Sequence, residues 1–241
     1  MQQYHTPPPI YRTEDQAILR TMENAFFKKL FLWMFGALML TAATSYLFVS
    51  QGYVLWLLSN KSLYIGSIIL ELVLVVLLSA RINKMSFQSA LIIMVLYAIL
   101  NGITLSSIFL LYTGKQIAST FLITSATFGS MAIFGSTTKK NLSHFARYAY
   151  MLLIGLIIAT VVNIFLKSSA MMWGINIFGV LLFTVLTAID TYRYREYYRQ
   201  LAMQGSSSES IAKLALIGSL NLYLDFINLF LYLLRFVGRS N

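Results

Sequence analysis

Along this chain the apolar residues gather into long runs separated by short polar stretches, and the runs set the predicted elements. A helix that crosses a hydrocarbon layer about 30 Å thick needs about 20 mostly apolar residues. Seven runs qualify, over 30–50, 63–80, 87–112, 117–134, 148–166, 171–189 and 214–234. The pattern predicts an all-α integral membrane protein of seven transmembrane helices. It has a polar tail over 1–29, a membrane domain over 30–236 and a short tail over 237–241. The fourth run, "IASTFLITSATFGSMAIF", is the least apolar, and its Ser, Thr, Ala and Gly content suits close helix packing better than lipid contact.

Composition strengthens that reading. Of the 241 residues 58% are hydrophobic and 11% charged, and the mean hydropathy is +0.72. An ordinary soluble domain is about 25% charged, so this much apolar surface cannot be hidden inside a water-facing globule. There are no cysteines, which removes disulfide and thiolate chemistry. The two histidines, His5 and His144, fall outside the runs, so a His-ligated transition metal is not expected.

The net charge of +10 would suggest nucleic acid in a soluble protein, but here the cations lie between apolar runs and read as topology signals. One side of the alternation holds Arg12, Arg20, Lys28, Lys29, Arg81, Lys84, Lys139, Lys140, Arg147, Arg193, Arg195, Arg199 and Lys213. The other holds Lys61, Lys115, Lys167, Arg235 and Arg239. The positive-inside rule therefore predicts a cytoplasmic N-terminus and, with seven spans, an external C-terminus. The first 25 residues, with "HTPPPIYRTEDQ", read as a retained polar tail and not as a signal peptide. After the sixth run, "DTYRYREYYRQLAM" interleaves Tyr and Arg at helical spacing, which fits a helix that continues out of the membrane against anionic headgroups; a solvated, positive-inside anchor is preferred to a regulatory lipid site.

Three of the eight acidic residues fall within or at the edge of a run: Glu71, Asp190 and Asp225. An aspartate at the centre of a membrane helix costs roughly 2.5 to 3.5 kcal/mol, so such groups face a bundle interior or a wet cavity and mark function. In the last run Asn221, Asp225, Asn228 and Tyr232 share one helix face, with Gly218 and Leu214 continuing it. That stripe belongs inside a bundle. For Asn221 and Asn228 the plain expectation is an interhelical hydrogen-bond ladder. Asp225 is harder to explain that way, because an amide would do the same at lower cost. Asp190 ends the sixth run, where a helix-end aspartate near arginines is often only a surface ion pair. Arg81, at the end of the second run, is the cation best placed to meet it. Rise counting leaves Asp190 and Asp225 offset by roughly 10 Å along the bundle, so contact between them requires tilt or a deeper sixth helix.

Two carboxylates within a few ångströms in a low-dielectric site do not both ionise readily; they share a proton and titrate together. Such a pair can latch when protonated and repel itself when doubly ionised, offering oxygens to a hard cation. Calcium takes about six to eight oxygen ligands, so two carboxylates make a weak transit site.

The stretches "LNGITLSSIF", "FLITSATFGSMAIFGSTTKKNLS", "LFTVLTAIDTYR" and "GSLNLYLDFINLFLYLLRF" resemble those of the Bax inhibitor family, its bacterial branch in particular. The resemblance runs from about Leu30 to Gly238. It implies a seven-helix bundle whose seventh helix is wrapped by the other six, in the bacterial inner membrane, forming a pH-sensitive calcium leak. It further implies that Asp190 and Asp225 form the pH sensor and a weak calcium site, that Arg81 of the second helix is their latch, and that Glu71, with Asn221 and Asn228, lies on the ion path. Calcium ions, protons and membrane lipids are then the partners, with no cofactor.

Other function classes are tested on the same residues. Intramembrane aspartyl proteases need Gly-x-Gly-Asp, whereas Asp225 follows "LYL", and no enzyme activity is expected. A retinal pump needs an interior lysine in the last span, and the nearest, Lys213, sits at its edge. The remaining alternative is a non-conducting protein that binds a membrane-protein partner, such as a protease or a cell-death regulator, and changes its activity. A binding module would expose its polar face on an outer helix; a leak gathers it inward.

Overall fold

The computed structural model describes residues 13–81 and 85–238, with side chains described for 17–74 and 85–238. Every regular element among the described residues is a helix, with no strand: α1 (Thr13–Ser50), α2 (Tyr53–Ser59), α3 (Lys61–Arg81), α4 (Phe87–Leu105), α5 (Ile108–Leu111), α6 (Gly114–Thr137), α7 (Ser143–Leu166), α8 (Ser169–Met203) and α9 (Ser208–Val237). Six of the described helices are long and apolar enough to cross a membrane, with α4 and α5 forming one broken span. The count becomes seven if α2 and the described part of α3, which meet at 97°, make one more.

Local chemistry accounts for where the helices start and stop. The hydroxyls of Ser86, Thr113, Ser168 and Ser207 accept from the backbone N–H three residues on, opening α4, α6, α8 and α9. Each satisfies a donor that the first turn leaves free. At Thr113 the Gln116 side chain reaches back to complete a capping box. The chain leaves α1 through Gly52, at φ 73°, a left-handed conformation that favours glycine and turns the backbone sharply into α2.

Two helices, α1 and α8, run furthest beyond the membrane-length runs read from the sequence. α1 extends back to Thr13, so residues 13–29 of the polar tail are helix. α8 runs 35 residues to Met203, about 52 Å at 1.5 Å per residue, so Asp190 lies in its interior and not at its end. Hydropathy marks where a helix leaves the apolar layer, whereas the backbone carries on for as long as each N–H keeps its carbonyl.

α9 is the most enclosed of the candidate spans: 67% of its most apolar stretch is buried, against 50% for α8 and 39% or less for the others. It packs on α8, α1, α6 and α4, while α7 leans chiefly on α8, and α3 on α4. Leu222, Tyr223 and Leu229 are completely buried. Glycines set the close approaches. A Cβ on Gly135 of α6 would run into the Ala188 backbone of α8, and one on Gly179 of α8 would meet the Tyr232 ring of α9 at 2.6 Å. Small residues at such crossings let helix backbones approach in a medium where hydrophobicity does not drive association.

Candidate functional site

The seam between α8 and α9 places the two aspartates. Asn221 Nδ2 of α9 donates to the Tyr194 hydroxyl of α8 at 2.6 Å. Further along, the Tyr232 ring of α9 stacks on Phe183 of α8 with centroids 5.8 Å apart. The helices are therefore antiparallel in a definite register. One turn back along α8 from Tyr194 is Asp190, and one turn on along α9 from Asn221 is Asp225, at the same level. The axial offset expected from the sequence closes through this register, which sets Asp190 and Asp225 at one level of the seam.

Each aspartate is 5% exposed, but their surroundings differ. Asp190 Oδ1 accepts from the Tyr150 hydroxyl of α7 at 2.8 Å and from Arg193 Nη1, a turn along α8, at 3.4 Å. Asp225 Oδ2 is enclosed and has no hydrogen-bond partner among the described residues. Buried polar groups are nearly always paired, so an unpaired carboxylate oxygen at the level of a second buried carboxylate is a place for a proton or a cation. Among the described residues no three His, Cys, Asp or Glu side chains come together, so a metal here would have at most two protein carboxylates.

The other sequence-selected residues divide. Asn221 lies on the same seam, held by Tyr194. Asn228 is half-buried and spends its amide on its own helix, donating to the Leu224 carbonyl at 2.8 Å. Glu71 sits apart from the aspartates. Its Oε1 accepts from Thr104 at 2.7 Å, and its Oε2 from Asn101 at 3.4 Å, both on α4. The Arg81 side chain lies outside the described residues.

Sequence reasoning missed two things. The first is Tyr150, whose contact with Asp190 joins positions 40 apart and leaves no local pattern. The second is a relay on the far side of α9. Tyr223, two residues before Asp225 and hence on the opposite face, donates to Asn101 Oδ1 at 3.1 Å and lies 2.7 Å from Thr41 Oγ1. Through Asn101 the relay reaches Glu71. α9 thus carries a polar group on each side, Asp225 toward α8 and Tyr223 toward α1 and α4. Arg193 is a different case, because its i,i+3 spacing from Asp190 is a visible signal for a helix-face pair.

Residues 23–241 match the sequence pattern of the family described as "Inhibitor of apoptosis-promoting Bax1". The chain belongs to the Bax inhibitor family. Among its relatives, the "Inner membrane protein YbhL" of Escherichia coli K12 is 42% identical over 216 residues, covering 89% of this chain and 92% of that protein. A protein of Borreliella burgdorferi described as uncharacterized is 40% identical over 227 residues, with 94% and 96% covered. One of Deinococcus radiodurans, also described as uncharacterized, is 37% identical over 218 residues, with 90% and 91% covered. This Bax inhibitor family member is thus an integral membrane protein with a relative named for the bacterial inner membrane, and the matched region contains both halves of the α8/α9 seam.

Proposed function

We propose that this family member is a pH-sensitive calcium leak channel of the bacterial inner membrane, gated by Asp190 and Asp225. Its N-terminus lies in the cytoplasm, and α9 is the central element of seven crossings. The observation that carries the reading is the pair of buried acids at one level of the α8/α9 seam, with Asp225 Oδ2 lacking a hydrogen-bond partner among the described residues. Sharing a proton, the two carboxylates hold the seam closed. With the proton lost they repel, the seam loosens, and their oxygens become weak ligands for a divalent ion in transit. Flux therefore rises with pH through the titration of the pair and is shut off by acid. Glu71, half-buried with Thr104 and Asn101, is a second acidic station on the path, and Asn221 flanks the pair. Arg81 serves as a latch from the second helix.

The stripe on α9 turns toward α8 and not toward lipid, which favours a leak over a non-conducting module that displays its polar face to a partner. Calcium flux into liposomes carrying the purified chain tests the proposal. Wild-type flux should climb with pH, and Asp225→Asn should flatten the profile; a variant with unchanged flux and unchanged pH dependence ends the idea. Arg81→Ala should raise the leak, and loss of flux would give Arg81 a different role.

A further inference from the structure

Asp190 already has a cation beside it, and it comes from its own helix. Arg193 donates through Nη1 to the Tyr150 hydroxyl and to Asp190 Oδ1, and through Nη2 to the Tyr197 hydroxyl at 2.9 Å. Its guanidinium carbon lies 5.3 Å from the centre of the Tyr150 ring and 5.6 Å from that of Tyr197. An i,i+3 ion pair on an open helix surface holds its geometry weakly and contributes little. Here a planar, five-donor group is braced by two aromatic faces and two hydroxyls, one of them on a neighbouring helix.

The braced guanidinium has two consequences. The Asp190 side chain is 7% exposed and that of Arg193 29%, so the guanidinium is the more accessible member of the pair. Moreover, Tyr150 and Arg193 converge on the same oxygen, Asp190 Oδ1. A metal ion approaching the pair meets that oxygen already engaged, while Asp225 Oδ2 has no hydrogen-bond partner among the described residues.

We propose that Arg193, braced by Tyr150 and Tyr197, is a tethered cation that occupies the Asp190 half of the acid pair and has to swing away before a divalent ion binds there. This inference rests on the leak reading for its physiological meaning, and it is separate from the role given to Arg81. It makes Arg193 a positioning residue that competes with the permeant ion. Tyr150 is its anchor, so any movement of α7 against α8 is felt at the site. Lysine keeps the charge but cannot span two hydroxyls and a carboxylate with one planar fork, and it should hold Asp190 less well.

The test uses the full-length chain in detergent, titrated with terbium(III), a hard cation whose emission is sensitised by nearby tyrosines. Arg193→Gln should bind terbium roughly tenfold more tightly than wild type, the size expected for releasing one hydrogen bond from a charged group. Arg193→Lys should fall between the two. Tyr150→Phe keeps the ring and loses only the hydroxyl, so it serves if Arg193→Gln fails to fold, and it should also tighten binding. The gain should vanish when Asp190→Asn is added to Arg193→Gln. Equal affinity in wild type, Arg193→Gln and Tyr150→Phe overturns the proposal, as does a gain that survives Asp190→Asn. In liposomes Arg193→Gln should leak calcium faster than wild type. If wild type passes no calcium, the leak reading falls while the terbium series still decides whether Arg193 guards Asp190.

Discussion

Tyr223 offers a test in which counting protons and counting contacts give different answers. Its side chain is fully buried, and its hydroxyl stands 2.7 Å from Thr41 Oγ1 and 3.1 Å from Asn101 Oδ1. Thr41 Oγ1 also lies 3.0 Å from the Ala98 carbonyl oxygen. Three contacts are thus served by two hydroxyl protons, because neither Ala98 O nor Asn101 Oδ1 can donate. At any instant only two of the three are hydrogen bonds. Tyr223→Phe removes one proton and keeps the ring packed edge-on against Tyr97, at 5.9 Å between centroids. Thr41→Val removes the other at nearly constant volume. Each variant then loses one bond, about 1 kcal/mol for an interhelical contact in a membrane bundle, and the double variant loses two, about 2 kcal/mol. The losses should add to within about 0.5 kcal/mol, although residues in direct contact commonly do not behave additively. Were all three contacts full bonds, each single variant would lose two and the double variant three, leaving a coupling of about 1 kcal/mol. Reversible unfolding in mixed micelles measures all four corners of the cycle. Single losses near 2 kcal/mol with a double loss short of their sum would refute the proton count.

Gly135→Ala should be among the most disruptive small changes in the protein, because the new methyl would meet the Cα and carbonyl carbon of Ala188 at 3.0 Å, and a backbone cannot rotate aside. Overpacking of this kind costs about 1 to 3 kcal/mol, read as a lower unfolding midpoint; a change within about 0.5 kcal/mol would mean that α6 and α8 part freely. Arg195→Gln should release the end of α6, since the buried guanidinium donates to the Ser136 carbonyl at 2.6 Å and the Thr138 carbonyl at 2.9 Å while lying over the Tyr192 ring. Hydrogen exchange should quicken in the last turn of α6 and stability should fall by about 2 to 4 kcal/mol, whereas unchanged protection there would show that the helix end holds without the clamp.

How much of this protein was legible from its residues follows from the range of each interaction. The helical class, the membrane and most of the spans come from runs of about 20 apolar residues, a local property that any solvent-averse segment displays wherever it is packed. The importance of Asp190, Asp225 and Glu71 was equally local, since a carboxylate inside an apolar run is costly whatever surrounds it. The face shared by Asn221 and Asp225 was legible from the 3.6-residue period. Tertiary structure alone decided what each carboxylate meets. Helix register depends on where distant side chains interlock, here Tyr194 with Asn221 and Phe183 with Tyr232, and that brought Asp190 level with Asp225 where rise counting had separated them. Tyr150 reached Asp190 from another helix, and Glu71 was assigned to Thr104 and Asn101, apart from the aspartate seam. A sequence can say that a buried charge needs a partner; only packing across 40 or 120 residues of chain says which side chain arrives.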